Sequence, residues 1–269
     1  MAGARYCERM ADEPLRLGGM ALRNGLFVHG PTHWAAAVRT PDGALRIASG
    51  RKPVRSGLAT RVPIARGILR LSEMIAILPQ VKRSLPEAKL AFENPTVVAL
   101  SVSTMALTKG AQRRGASPAT VEALATVLAV LPALAMLRSG SLARYHGAEH
   151  KTIGAYESGG EAAGEAKEHD RCGSHLVTPL VGLSLIGNVL ASRARREHQA
   201  AARAGASLAA MGIAVELFGW ASRNAAHPLA RAFRAPGTAL QRVVGTREPN
   251  PDELDVARAA LDRLLVLEG

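Results

Sequence analysis

The ten residues Tyr145-His146-Gly147-Ala148-Glu149-His150-Lys151-Thr152-Ile153-Gly154 hold the densest potential chemistry in the chain. If they are helical, His146, Glu149 and His150 fall at i, i+3 and i+4 and leave from one face, within reach of a common ion. Two imidazoles so placed can bind Zn²⁺. Glu149 beside them could take a proton from water, the division of labour in His-x-x-Glu-His inverted zinc peptidases. The bland reading is a pair of solvated histidines on a helix face. Further along, His169-Asp170-Arg171-Cys172 supplies an imidazole and a thiol at i and i+3, both suited to Zn²⁺. His146, His150, His169 and Cys172 together would close a structural Cys-His₃ site, whereas a set of three leaves a position open for catalysis. Spacing leaves both options open. It leaves open equally that His169 is a solvated loop histidine and Cys172 a small buried residue. His29, His33, His198 and His227 have no partner at ligand spacing.

These clusters sit between apolar stretches that must position them. Residues 172–192 contain no Asp, Glu, Lys or Arg, a length that crosses a hydrocarbon layer of ~30 Å at about 1.5 Å per residue. Residues 94–108 are shorter, and residues 115–137 and 204–222 are each interrupted by one carboxylate, Glu122 and Glu216. Such a carboxylate is expected to serve as a further ligand, a proton relay or the partner of an arginine. In a soluble helical domain it would be a surface glutamate. Lys109, Arg113, Arg193, Arg196 and Arg223 flank the stretches as interface anchors would. The expected fold is mainly α: a polytopic bundle of about four apolar helices with soluble ends. The expected regions are a basic N-terminal region (1–93), a membrane region (94–221) holding the site loop 138–175, and a C-terminal tail (222–269). In the first, residues 26–28, 35–40 and 44–48 read as strands around a Pro41-Asp42-Gly43 turn. Ile64, Ile68, Leu71, Ile75 and Leu78 recur at helical spacing, for packing on that hairpin or lying at a membrane interface. In the tail, Leu254, Ala257, Leu261, Leu264 and Leu265 form one apolar stripe behind an acidic first turn.

Composition narrows the partners. Thirty-four basic against 22 acidic residues leave a charge of +12, which calls for an anionic partner. Four Phe, two Trp and three Tyr are too few for a base-stacking surface, so the expected partner is the lipid bilayer rather than nucleic acid, with protein partners at the soluble ends. If all the stretches span, both ends and the 138–171 loop share one side. Their Lys and Arg content makes that side cytoplasmic, in a multi-pass protein of the cell membrane. Two cysteines, Cys7 and Cys172, build no disulfide framework. No phosphate-binding loop, dinucleotide fingerprint or nucleophile elbow is present.

The motifs together resemble the YqhQ family, bacterial integral-membrane proteins of unknown function described as predicted metal-dependent enzymes. The resemblance rests on residues 145–153 with Tyr156-Glu157, on His169 with Arg171-Cys172-Gly173, and on Thr246-Arg247-Glu248-Pro249 before the last helix. Gly18-Gly19, Gly25 and Gly30-Pro31 match the family's opening, and Glu216-Leu217 its last span. Met20 and Asn24 stand where that pattern has a Gln and a Glu. The resemblance implies a membrane protein with a metal site and names no substrate.

Two functions follow as expectations. One is a membrane-embedded zinc hydrolase with His146 and His150, joined by His169 or Cys172, on the metal and Glu149 as general base. The other is a non-catalytic membrane scaffold whose structural metal staples the site loop. Arg247 and Glu248 could fix the C-terminal helix or meet a partner.

Overall fold

The computed structural model describes residues 15–54, 57, 60–137 and 140–269; Cys7 lies outside them, as does the side chain of Glu122. Four strands, β1 (Gly18–Leu22), β2 (Gly25–His29), β3 (His33–Arg39) and β4 (Leu45–Arg51), form an antiparallel meander in chain order. The expected hairpin is β3–β4, turning through Gly43 at φ 84°, a conformation that suits glycine. β2 is the strand expected over residues 26–28, and β1 adds a fourth. β1 escapes a hydropathy reading because Gly18-Gly19-Met20 offers no alternation, yet its register, Gly19 opposite Val28, is set by pairing with β2.

Both faces of the sheet are covered. On one, Leu26, Val28, Ala35 and Ala37 meet α6 (Gly140–Ser158) and α10 (Pro251–Glu268) through Leu142, Ala148, Leu261 and Leu264. On the other, Phe27, Trp34 and Val38 pack on Ile77 and Val81 of α2 (Ile77–Ser84). The run Ala35-Ala36-Ala37 is fully buried, and its small side chains let helices approach from both sides. The end of α10 is fastened to the β2–β3 turn, where Glu268 accepts from Thr32 N at 2.9 Å and His33 N at 2.6 Å. Its start is fastened to α6: Glu253 accepts from Asn250 N at 2.7 Å and from Arg144 Nε at 2.6 Å.

The amphipathic helix expected over residues 64–78 breaks at Ala76, and its parts take different partners. The second part is α2, on the sheet. The first, α1 (Ala65–Ile75), packs on α8 (Gln199–Arg223), where Gly67 faces Val215 and Gly212 makes room for Ile64. Arg66 grips Glu216 with both arms of its guanidinium, Nε to Oε1 at 3.1 Å and Nη2 to Oε2 at 2.5 Å.

About four membrane helices are expected from the sequence; among the described residues two are long and apolar enough, Gly173–Ala191 and Arg196–Arg223, which contain α7 (Val177–Ala191) and α8. Residues 94–108 lie in α3 (Pro95–Arg113), which does not qualify. Residues 115–137 divide into α4 (Pro118–Leu128) and α5 (Val130–Leu137), of 11 and 8 residues. At about 1.5 Å per residue neither reaches across a bilayer. Ala123–Met136 with Gly140–Ser158 would make a third span only across an 81° bend. We assign α6 to the sheet body instead, since it packs on the sheet beside α10 and buries Glu149, His150 and Lys151. α7 and α8 pack side by side, with Gly187 close to Ala206, the small-residue contact that lets membrane helices approach. α9 (Pro228–Leu240) follows α8 and leads through the π-helical turn Gln241–Gly245 towards α10.

Candidate metal centre

On α6, His146 and His150 are brought to one face by helical spacing, with ring centroids 4.3 Å apart. Cys172, at the head of the Gly173–Leu176 turn, completes the group. One ligand atom from each of His146, His150 and Cys172 lies within 4.8 Å of the others. His150 and Cys172 are buried and His146 is half-buried.

The backbone fixes both rings. His146 Nδ1 lies 2.8 Å from the Gly245 carbonyl and His150 Nδ1 lies 2.6 Å from the Lys167 carbonyl. A carbonyl only accepts, so each Nδ1 carries a proton, which in the neutral ring leaves the Nε2 lone pair free. His146 Nε2 faces Cys172 Sγ at 3.3 Å. A carbonyl on the nitrogen away from the metal, which sets the tautomer, is the usual companion of a metal-binding histidine. The segments that carry these carbonyls are tied together: Lys167 Nζ donates to Thr246 O at 3.5 Å, and Thr246 N donates to Gln241 O at 2.9 Å, closing the turn that presents Gly245. Burial lowers His150 well below the usual histidine range, with His146 adding to the effect. Burial also raises the Cys172 thiol.

Glu149 lies on the sheet side of α6. A Cβ on Gly19 of β1 would come within 2.8 Å of its Oε1, so the glycine makes the space that the carboxyl fills. Burial pushes Glu149 up to about 8, opposed by His146 and reinforced by Cys172. No hydrogen bond or ion pair is seen at its carboxyl among the described residues.

The remaining candidates are placed as follows. The His169 ring centroid is 5.6 Å from that of His150, and both its nitrogens are engaged: Nδ1 accepts from Arg171 N and Nε2 donates to Glu157, each at 3.3 Å. Glu157 also pairs with Arg171. Glu216 is outside the cluster, on Arg66. Glu248 pairs with the buried Lys151 of α6. Arg247 is pinned through its backbone: its N–H donates to Ala143 O at 2.9 Å, and its carbonyl lies against Gly147, where a Cβ would collide with it. Sequence reasoning missed Gly245, Lys167 and Gln241, which act through backbone atoms or pairings distant in the chain. It also missed the role of Gly19, whose only signal is a glycine pair in a strand.

A family model described as a protein of unknown function (DUF1385) matches residues 119–266. The chain is also similar to the "Uncharacterized protein YqhQ" of Bacillus subtilis (strain 168), 21% identical over 301 residues that cover 95% of this chain and 94% of that protein. No solved structure matches.

Proposed function

The chain belongs to the DUF1385 family, whose function is unknown, and from that premise we propose that it is a membrane-anchored metal-dependent hydrolase. The observation that carries the reading is the pair of carbonyls, Gly245 and Lys167, that take up both Nδ1 protons and leave two Nε2 lone pairs beside one thiol. Two imidazole nitrogens and a thiolate suit Zn²⁺, and three protein ligands leave a fourth position free, the pattern of catalytic rather than structural zinc. His169 is the further candidate ligand, within one ring movement of His150 and now held by Glu157. When bound, zinc supplies Lewis-acid polarisation of a substrate oxygen.

Glu149 is the proton carrier. Its carboxyl is buried within electrostatic reach of His146 and Cys172, without a hydrogen bond among the described residues, and burial raises its pKa to about 8. In its carboxylate form it takes a proton from water and returns it to the leaving group. Because Cys172 immediately precedes the Gly173–Ala191 segment, the centre faces the membrane surface and suits a peptide or lipid-linked substrate. The body that holds it is cytoplasmic by its basic charge. Lys151–Glu248 and Arg66–Glu216 are positioning pairs, the first holding the 246–249 segment on α6 and the second holding α1 on α8.

Hydrolysis of ester, amide and phosphodiester probes by the purified full chain tests this reading. Glu149→Gln is expected to keep its metal and lose roughly 100-fold or more in rate. A variant that hydrolyses at the wild-type rate would overturn the role given to Glu149.

A further inference from the structure

α9 follows the turn at residues 224–227 after the Arg196–Arg223 segment, with His227 Nδ1 accepting from Leu229 N at 3.2 Å. It also packs on the start of the other segment: His175 Nδ1 donates to Arg234 O at 3.0 Å, and Gly237 leaves room for the His175 ring. α9 therefore lies where both apolar segments leave the membrane. Its outward residues are of two kinds. Leu229 is 66% exposed and Val243, just past the helix, is 79% exposed. On another flank of the helix, Arg231, Arg234 and Arg242 line an open groove with Asp170 and Thr238.

The three arginines are not equivalent. Arg234 is buried and committed, paired with Asp170 and donating to Ala225 O at 2.8 Å. Arg242 is exposed, its Nε 3.6 Å from Glu168. The exposed Arg231 side chain forms no ion pair among the described residues. The groove thus holds surplus positive charge at the boundary of the two apolar segments, and the same helix and its following turn expose Leu229 and Val243 on another flank. A free anion would explain the arginines but not the exposed leucine and valine on the same element; a phospholipid explains both.

We propose that this groove binds the phosphate of an anionic phospholipid headgroup, with Leu229 and Val243 seated at the acyl boundary. The site is independent of the metal centre. Native mass spectrometry of the full chain in neutral detergent, with dioleoylphosphatidylglycerol against dioleoylphosphatidylcholine, tests it. Wild type should retain the anionic lipid in preference to the zwitterionic one. Arg231→Gln with Arg242→Gln should weaken retention about 30-fold, and Arg231→Gln alone about fivefold, at the usual contribution of a cation near an anionic surface. Lysine at both positions should preserve it. The single variant keeps the test decisive if the double variant unfolds. Equal retention of the two lipids, retention unchanged in the glutamine variants, or full displacement by millimolar inorganic phosphate would each overturn the proposal.

Discussion

His146 and His29 show how differently the fold treats two histidines. The first is offered a carbonyl at Nδ1 and a thiol at Nε2. His29, in β2 beneath Gly18 and beside Lys52, is held neutral. Burial, and then the Lys52 ammonium, lower its pKa from 6.5 to about 4. A depressed histidine means that the unfolded chain binds the proton first. The stability it confers is complete above pH 6.5 and is lost as pH falls through 4. A shift of that size corresponds to about 3 kcal/mol at full effect. Thermal unfolding of the detergent-solubilised chain should therefore show a steeper acid loss between these pH values for wild type than for His29→Gln. Parallel curves for the two proteins would contradict this.

At the scale of elements, the centre depends on how closely the 246–249 segment crosses α6. Gly147 has no side chain because the Arg247 carbonyl occupies that space, and the same crossing ends the turn that presents Gly245 to His146. Gly147→Ala should push the segment away, costing about 1–3 kcal/mol, as overpacking does, and weakening metal retention. Thermal unfolding and metal content at a fixed chelator concentration measure the two effects; an alanine variant unchanged in both would show that the crossing is looser than described. The histidine face was legible in the sequence because 3.6-residue periodicity is local. The carbonyls that orient it were not, since pairings such as His146 with Gly245 arise only in the tertiary fold. Counting spans by apolar run failed for a related reason. Hydropathy over residues 115–137 does not register the break between α4 and α5, and each piece is too short to cross alone. Likewise, the periodicity of residues 64–78 runs unbroken through Ala76, where the helix divides between the sheet and α8.

Across the whole molecule, a charge of +12 and a mean hydropathy of +0.06 are averages over two unlike parts. One is a sheet body enclosed by α2, α6 and α10; the other is a pair of apolar helices, each long and apolar enough to cross a membrane. The candidate centre lies where they join, with His146 and His150 on the body and Cys172 on the threshold of the first span. In this account the membrane fixes the position of the thiol and the body fixes the imidazoles, so metal binding and assembly of the two parts are coupled. Metal analysis of the detergent-purified chain beside His146→Ala tests this shared centre most directly. Roughly one zinc per chain is expected in wild type and close to none in the variant. Wild type without stoichiometric metal, or a variant that keeps it, would rule out a metal centre held by His146 and Cys172.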